Sequence, residues 1–121
     1  MKAKNYRELL VWQKAMTAVT MLYSLVKKLP KEESFALSDQ MRRCVISIPS
    51  NIAEGQQRGS IPDFTRFISY VQGSRAELET QLLACVAIGY LREEEISDLM
   101  ELLNEINRML SVLTKSLSAS Q

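Results

Sequence analysis

An all-α fold, an antiparallel up-down-up-down four-helix bundle, is what this sequence predicts, and three observations carry the prediction. Apolar residues recur at three-and-four spacing through four long stretches, the pattern of helices with one buried face. No stretch alternates as a half-buried strand does. The joints between the stretches are short, which makes consecutive helices reverse direction. With 121 residues, 46% of them hydrophobic, the chain can bury one core without metal or disulfide support, so a single domain over residues 1–121 is expected.

The first helix is expected over about residues 8–29. Trp12, Ala15, Met16, Val19, Leu22, Tyr23, Val26 and Leu29 form its seam, and Pro30 ends it because the residue before a proline avoids helical geometry. The second, over about 36–55, carries Leu37, Met41, Cys44, Val45, Ile48 and Ile52 on one face. It continues through Pro49 with an expected kink, since proline removes one backbone hydrogen bond, and Gly55 reads as its stop. Ser60 as a cap, Pro62 in the first turn and Asp63 near the positive helix end open the third, over about 61–88. Phe64, Phe67, Ile68, Val71, Leu78, Leu82 and Val86 carry it to Gly89. Glu93, Glu94 and Glu95 open the fourth, over about 92–117, with Ile96, Leu99, Leu103, Ile106, Leu110, Leu113 and Leu117 on its seam, and residues 118–121 read as a frayed polar tail. Leu102 and Met109 lie beside that seam and make its apolar arc wider than one core requires, which points to self-association.

The second helix carries another stripe. Arg43, Ser47, Asn51, Glu54 and Arg58 recur at helical spacing, and an amide, a hydroxyl and opposite charges in fixed order look like a buried or partner-facing polar seam rather than a solvated face. The third helix answers with Tyr70, Ser74, Glu77 and Gln81. If the two helices turn near residue 58, positions whose numbers sum to about 117 face one another. Arg43 then meets Ser74 and comes within a turn of Glu77, while Glu54 faces Asp63 near Arg66. Arg43 with Glu77 is expected to be a desolvated pair that fixes register. Asn51, Glu54 and Arg58 stand open between register-fixing and binding. The same register puts Cys44 opposite residue 73, about 18 Å from Cys85, so both thiols are expected reduced in the core.

Inventory excludes much chemistry. The chain has no histidine, which removes Ser-His and Cys-His nucleophile pairs, the usual zinc sites and the Glu-x-x-His motif of di-iron bundles. It has no glycine-rich phosphate loop. A carboxylate-only magnesium site would have to draw on Glu54, Glu77 or Glu79 and lacks a dense oxygen cage. A non-enzymatic protein with no cofactor is therefore expected. No segment approaches the roughly 20 uncharged apolar residues of a membrane span, and Met1-Lys2-Ala3-Lys4 leads into charge rather than a signal-peptide core, so no membrane partner and a cytoplasmic location are the expectation.

Leu10-Val11-Trp12-Gln13-Lys14-Ala15, Gln40-Met41-Arg42-Arg43, Ser47-Ile48-Pro49-Ser50-Asn51-Ile52-Ala53-Glu54-Gly55 with Arg58, then Gly73-Ser74, Glu77-Leu78-Glu79 and Gly89-Tyr90 closely resemble the bacterial four-helix-bundle proteins of the 23S ribosomal RNA intervening-sequence family. The resemblance runs from about Tyr6 to Leu117. It implies a small cytosolic bundle that assembles as a ring-like homopentamer, from a family first noticed inside insertions in large-subunit ribosomal RNA genes. A distantly similar group, the accessory proteins of diversity-generating retroelements, implies the same pentameric bundle working with a reverse transcriptase and its RNA. Those proteins are more basic than this chain, whose formal charge is +1.

The charge is unevenly spread: residues 1–43 hold nine Lys and Arg against four acids, and 44–121 hold six against ten. The bundle end that gathers the termini collects Lys2, Lys4, Arg7, Arg58, Arg66 and Lys115 against Glu8, Glu54 and Asp63. The opposite end collects Glu93, Glu94, Glu95 and Asp98 near Lys27, Lys28 and Lys31. A ring of like-oriented subunits would multiply the basic end into a positive rim for phosphates, centred on Arg58 and Arg66 with Lys2, Lys4 and Arg7. The bland alternative is that scattered surface cations keep the protein soluble. Arg66 sits near a positive helix end, where a cation is disfavoured, which hints at an anionic partner such as Glu54, Asp63 or a phosphate. Trp12 and the three phenylalanines fall on core faces, leaving few aromatics to stack bases, so RNA binding would follow shape and charge. Two function classes result: an oligomeric RNA-associated bundle, or a protein scaffold, an accessory subunit for an enzyme such as a reverse transcriptase, that reaches RNA only through its partner.

Overall fold

A computed structural model of the chain describes residues 5–120. They form four helices and no strand among the described residues: α1 (Leu10–Val26), α2 (Leu37–Gln57), α3 (Ile61–Ile88) and α4 (Glu93–Ala119). Each contributes to one apolar core, in which Leu22, Met41, Ile48, Leu78, Leu82, Leu103 and Leu110 are fully enclosed. No helix is long and apolar enough to cross a membrane among the described residues.

Short turns replace the expected ends of the first helix. Residues Tyr6–Glu8 form a 3₁₀ turn capped by Asn5, whose side-chain oxygen accepts the Arg7 N–H at 2.9 Å. Leu9 is extended, so α1 starts two residues later than the apolar pattern suggests. At its other end α1 stops at Val26 and unwinds through hydrogen bonds that keep Leu29 buried. A second 3₁₀ turn, Lys31–Glu33, follows Pro30.

Gly55 is not a stop. Helix α2 continues through Pro49 and past Gly55 to Gln57, and the glycine serves close packing instead. A Cβ built on it would lie 2.5 Å from Phe67 Cβ on α3, so only a residue without a side chain lets the helices approach there. The turn between α2 and α3, from Gln57 to Ile61, lies close to its expected place. Cys44 reaches the Ser74 carbonyl, a pair summing to 118, while Ser47 meets Ser74 and Gly55 meets Phe67 at sums of 121 and 122, so the contacts run from near the expected sum to about one turn beyond it. Met41 reaches Cys85 at 3.8 Å nearer the other end, so residue numbers fall along α3 as they rise along α2.

The ends of α3 form as the sequence signals them. Ser60 Oγ accepts the Asp63 N–H at 3.2 Å, and Gly89 closes the helix with φ 96°, a left-handed conformation that glycine tolerates and other residues avoid. The first turn of α4 is capped by Glu95, whose carboxylate accepts the Arg92 N–H at 2.8 Å and the Lys28 ammonium at 2.9 Å. The end of α4 differs from the expected frayed tail in that helix continues to Ala119, with its last residues exposed. Lys14 with Glu105 at 3.1 Å ties α1 to α4, and Lys28, just past the end of α1, ties the following turn to Glu95.

Candidate functional site

The polar stripe of α2 is built mainly from small groups. Ser47 and Ser74 join their hydroxyls across α2 and α3 at 2.7 Å, and Ser47 Oγ also reaches the Cys44 carbonyl at 2.6 Å. Cys44 donates its thiol to the Ser74 carbonyl at 3.0 Å, and Asn51 Nδ2 donates to the Ser47 carbonyl at 2.8 Å. Two side chains of the stripe, Ser47 and Asn51, are thus spent inside the α2–α3 pair. Burial, and secondarily the negative charge of Glu77, push the Cys44 thiol up to about 12, with a backbone hydrogen bond from Leu78 acting the other way. A thiol held so firmly protonated is a packing group rather than a nucleophile. Both cysteines are free and buried.

The expected desolvated pair of Arg43 with Glu77 does not form. Arg43 is 81% exposed and binds Asp39, one turn earlier on its own helix, at 3.1 Å. Glu77 is exposed and accepts a long 3.4 Å contact from Gln81 Nε2. Both charges sit at the lip of a groove of about 330 Å³ that Gln40, Cys44, Ser47 and Ser74 also line. A long side chain on such a lip keeps its charge in water at no desolvation cost. Register is set beneath it by two serine hydroxyls.

The expected meeting of Glu54 with Asp63 and Arg66 is likewise replaced by local pairs. Glu54 binds Arg58 at 2.8 Å, and Asp63 binds Arg66 at 2.9 Å. Arg66 therefore has its anion at the positive end of α3, supplied by its own first turn. The hydrogen bond that Arg58 donates to Glu54 raises the Arg58 pKa further. What the two arginines share is a ring. The Arg58 guanidinium lies 4.9 Å from the Phe67 centroid and that of Arg66 lies 5.4 Å from it, and Tyr70 meets the same ring edge-on at 5.3 Å. Two cations stacked on one buried aromatic are held in place without being withdrawn from solvent.

Arg7 is exposed, with its guanidinium 5.7 Å from the Tyr6 ring, on a 3₁₀ turn that packs against both α1 and α2. Lys2 and Lys4 lie outside the described residues. Glu54, Glu77 and Glu79 do not gather: Glu79 is paired with Arg75, and no cluster of three or more potential metal ligands occurs among the described residues.

Sequence reasoning missed several groups. Phe35, expected on the core face at the start of the second helix, is 97% exposed. It precedes α2 and stands outside the Leu37, Met41, Cys44 periodicity, which was the available signal. Tyr90 donates to Glu33 at 2.7 Å, and Gln72 Nε2 donates to Asn107 Oδ1 at 2.9 Å. Neither link has a local pattern, because each joins positions distant in the chain. Leu102 and Met109 prove partly buried and packed against the core, and the exposed apolar surface lies elsewhere, at Leu10, Phe35, Leu83, Ile88 and Val112.

Comparison with known proteins follows the same lines. Nothing among curated proteins matches the chain. A solved structure of similar fold is a protein of unknown function from the S23 ribosomal protein family of Bacteroides thetaiotaomicron, 26% identical, with a TM-score of 0.80 over 88% of this chain and 99% of that one. The family model of the 23S rRNA-intervening sequence protein matches residues 7–112. With the serine-bridged α2–α3 pair and the Gly55 contact falling inside that span, the chain belongs to the 23S rRNA-intervening sequence protein family.

Proposed function

We propose that this protein is a non-enzymatic, self-associating bundle of the cytoplasm that binds structured RNA through the basic end formed by Arg58, Arg66 and Arg7, with Lys2 and Lys4 adding charge. The observation that carries this reading is the pair of guanidiniums on Phe67. Both flank one loop, both remain about half exposed, and both are held by the ring in a fixed orientation. Arginines so placed can present N–H donors to phosphate oxygens without first being ordered. Their partners Glu54, exposed, and Asp63, partly exposed, are surface carboxylates, which hold arginines weakly and yield to a stronger anion. The family's name, which refers to 23S rRNA, points to the same class of ligand.

A second reading has its own support. Because Glu54 and Asp63 already neutralise Arg58 and Arg66, the end carries less free charge than its arginine count suggests. That favours a scaffold or accessory subunit that docks a partner enzyme, such as a reverse transcriptase, and meets RNA only through it.

Retention of a structured RNA by the purified protein separates the two. Direct phosphate contacts make log K fall linearly with log salt, so the RNA reading expects steep loss of binding as salt rises. Reversal of both arginines, Arg58→Glu with Arg66→Glu, is expected to abolish retention while melting temperature and particle size stay nearly unchanged. RNA binding that survives the double reversal, or its absence from the wild type at low salt, overturns the RNA reading in favour of the scaffold.

A further inference from the structure

Phe67 carries more than two arginines. Tyr70, one turn further along α3, meets it at 5.3 Å with the ring planes 66° apart, and Tyr70 is 48% exposed where Phe67 is 6%. An edge contact of this kind covers at most one face of a ring, so Tyr70 keeps a face open to solvent. Arg66 and Tyr70 stand four residues apart on α3 and are neighbours on its surface, and Arg58 reaches the same buried ring from the end of α2. Charge and an open aromatic face are thus set side by side.

The expectation of RNA recognition by shape and charge alone rested on aromatics turned into the core. Tyr70 lies on the polar stripe of α3 and is not among them. Phe35, the most exposed ring described, does not serve this site. It precedes α2 and Arg58 follows it, so the 21 residues of that helix separate them, about 30 Å.

We propose that Tyr70 stacks on an unpaired base of the RNA whose phosphates Arg58 and Arg66 hold. This rests on the RNA reading above and names the part of a structured RNA that the site takes: a loop, bulge or end rather than a duplex. Bases in a duplex are stacked on one another, whereas unpaired bases splay out onto aromatic side chains. Such stacking tolerates any base, because every base has a π-face. A ring backed by Phe67 loses little freedom when it docks. The site then holds its RNA by two separable contacts, one to phosphate that salt weakens steeply and one to a base that releases no counterions.

Binding of a short unstructured oligoribonucleotide, with 2-aminopurine flanked by uridines, and of the blunt duplex it forms with its complement tests this across a salt series. Wild type, Tyr70→Leu and Tyr70→Phe are compared, since leucine keeps apolar bulk against Phe67 and removes the aromatic face. Wild type is expected to quench the 2-aminopurine on binding the single strand, and Tyr70→Phe to match it. Tyr70→Leu is expected to lose the quenching and about 10-fold or more in affinity for the strand, with salt slope and duplex affinity unchanged. Quenching by the wild type is read without any substitution, so the contact is tested even if Tyr70→Leu misfolds. A wild type that binds neither RNA at low salt overturns the RNA reading and this contact with it. Binding of the strand without quenching, or Tyr70→Leu that binds and quenches as wild type does, overturns the contact alone. Equal losses for strand and duplex, or a flatter salt slope, overturn it too, by making Tyr70 a support for the arginines.

Discussion

Gly55 illustrates how one residue can mislead about an element and still determine a contact. Glycine after an apolar helical run reads as a terminator, but here its lack of a side chain lets α2 lie against Phe67. Gly55→Ala gains helix propensity, about 1 kcal/mol, and forces a Cβ into the Phe67 backbone-proximal carbon, a clash with no flexible end to yield. Overpacking of this kind costs about 1–3 kcal/mol. Net destabilisation is expected, read as a lower urea midpoint, together with weaker RNA retention if Phe67 moves from beneath Arg58. A midpoint equal to or above wild type would show that the helices do not need this approach.

At the scale of the element, the start of α4 is held by one carboxylate with two jobs. Hydrogen bonding from Lys28, then from the Arg92 backbone N–H, holds the Glu95 carboxyl down at about 2, against an ordinary 4.5. A depressed carboxyl stabilises the folded state above its unfolded pKa, and that contribution is lost as pH falls through the folded value. The window is thus about pH 4.5 down to 2. Glu95→Gln should melt below wild type at pH 6, and the gap between the two should close as pH is lowered through this window. A gap that stays constant with pH would mean that the cap and the link to α1 do not depend on the charge.

For the whole molecule, the proposed RNA site and the proposed self-association would be coupled through valency. Each copy brings one pair of arginines on Phe67, so an RNA spanning several copies engages several weak sites at once. Linked sites raise apparent affinity by about 10²–10⁴-fold without new contacts. A variant made monomeric with Arg58 and Arg66 untouched is therefore expected to retain RNA about 100-fold more weakly, while the arginine reversal removes retention without changing particle size. Equal RNA affinity for wild type and such a monomer, measured at one salt concentration, would show that a single copy carries the whole site.

The sequence by itself determined the four helices, the Ser60 and Gly89 ends of α3, the buried reduced cysteines and the absence of histidine chemistry. These follow from local rules: apolar period, cap chemistry and composition act within a few residues and are written where they operate. The tertiary structure decided the register and the pairings. Whether Gly55 ends a helix or admits a neighbour depends on Phe67, twelve positions away in the chain. Arg43, Glu54 and Arg66 then found nearer partners on their own helices, because an exposed charge loses least by pairing locally and staying in water. Phe35 was left outside, on a turn fixed by Arg42 and Tyr90 from two other elements, and only that long-range assembly makes it a surface.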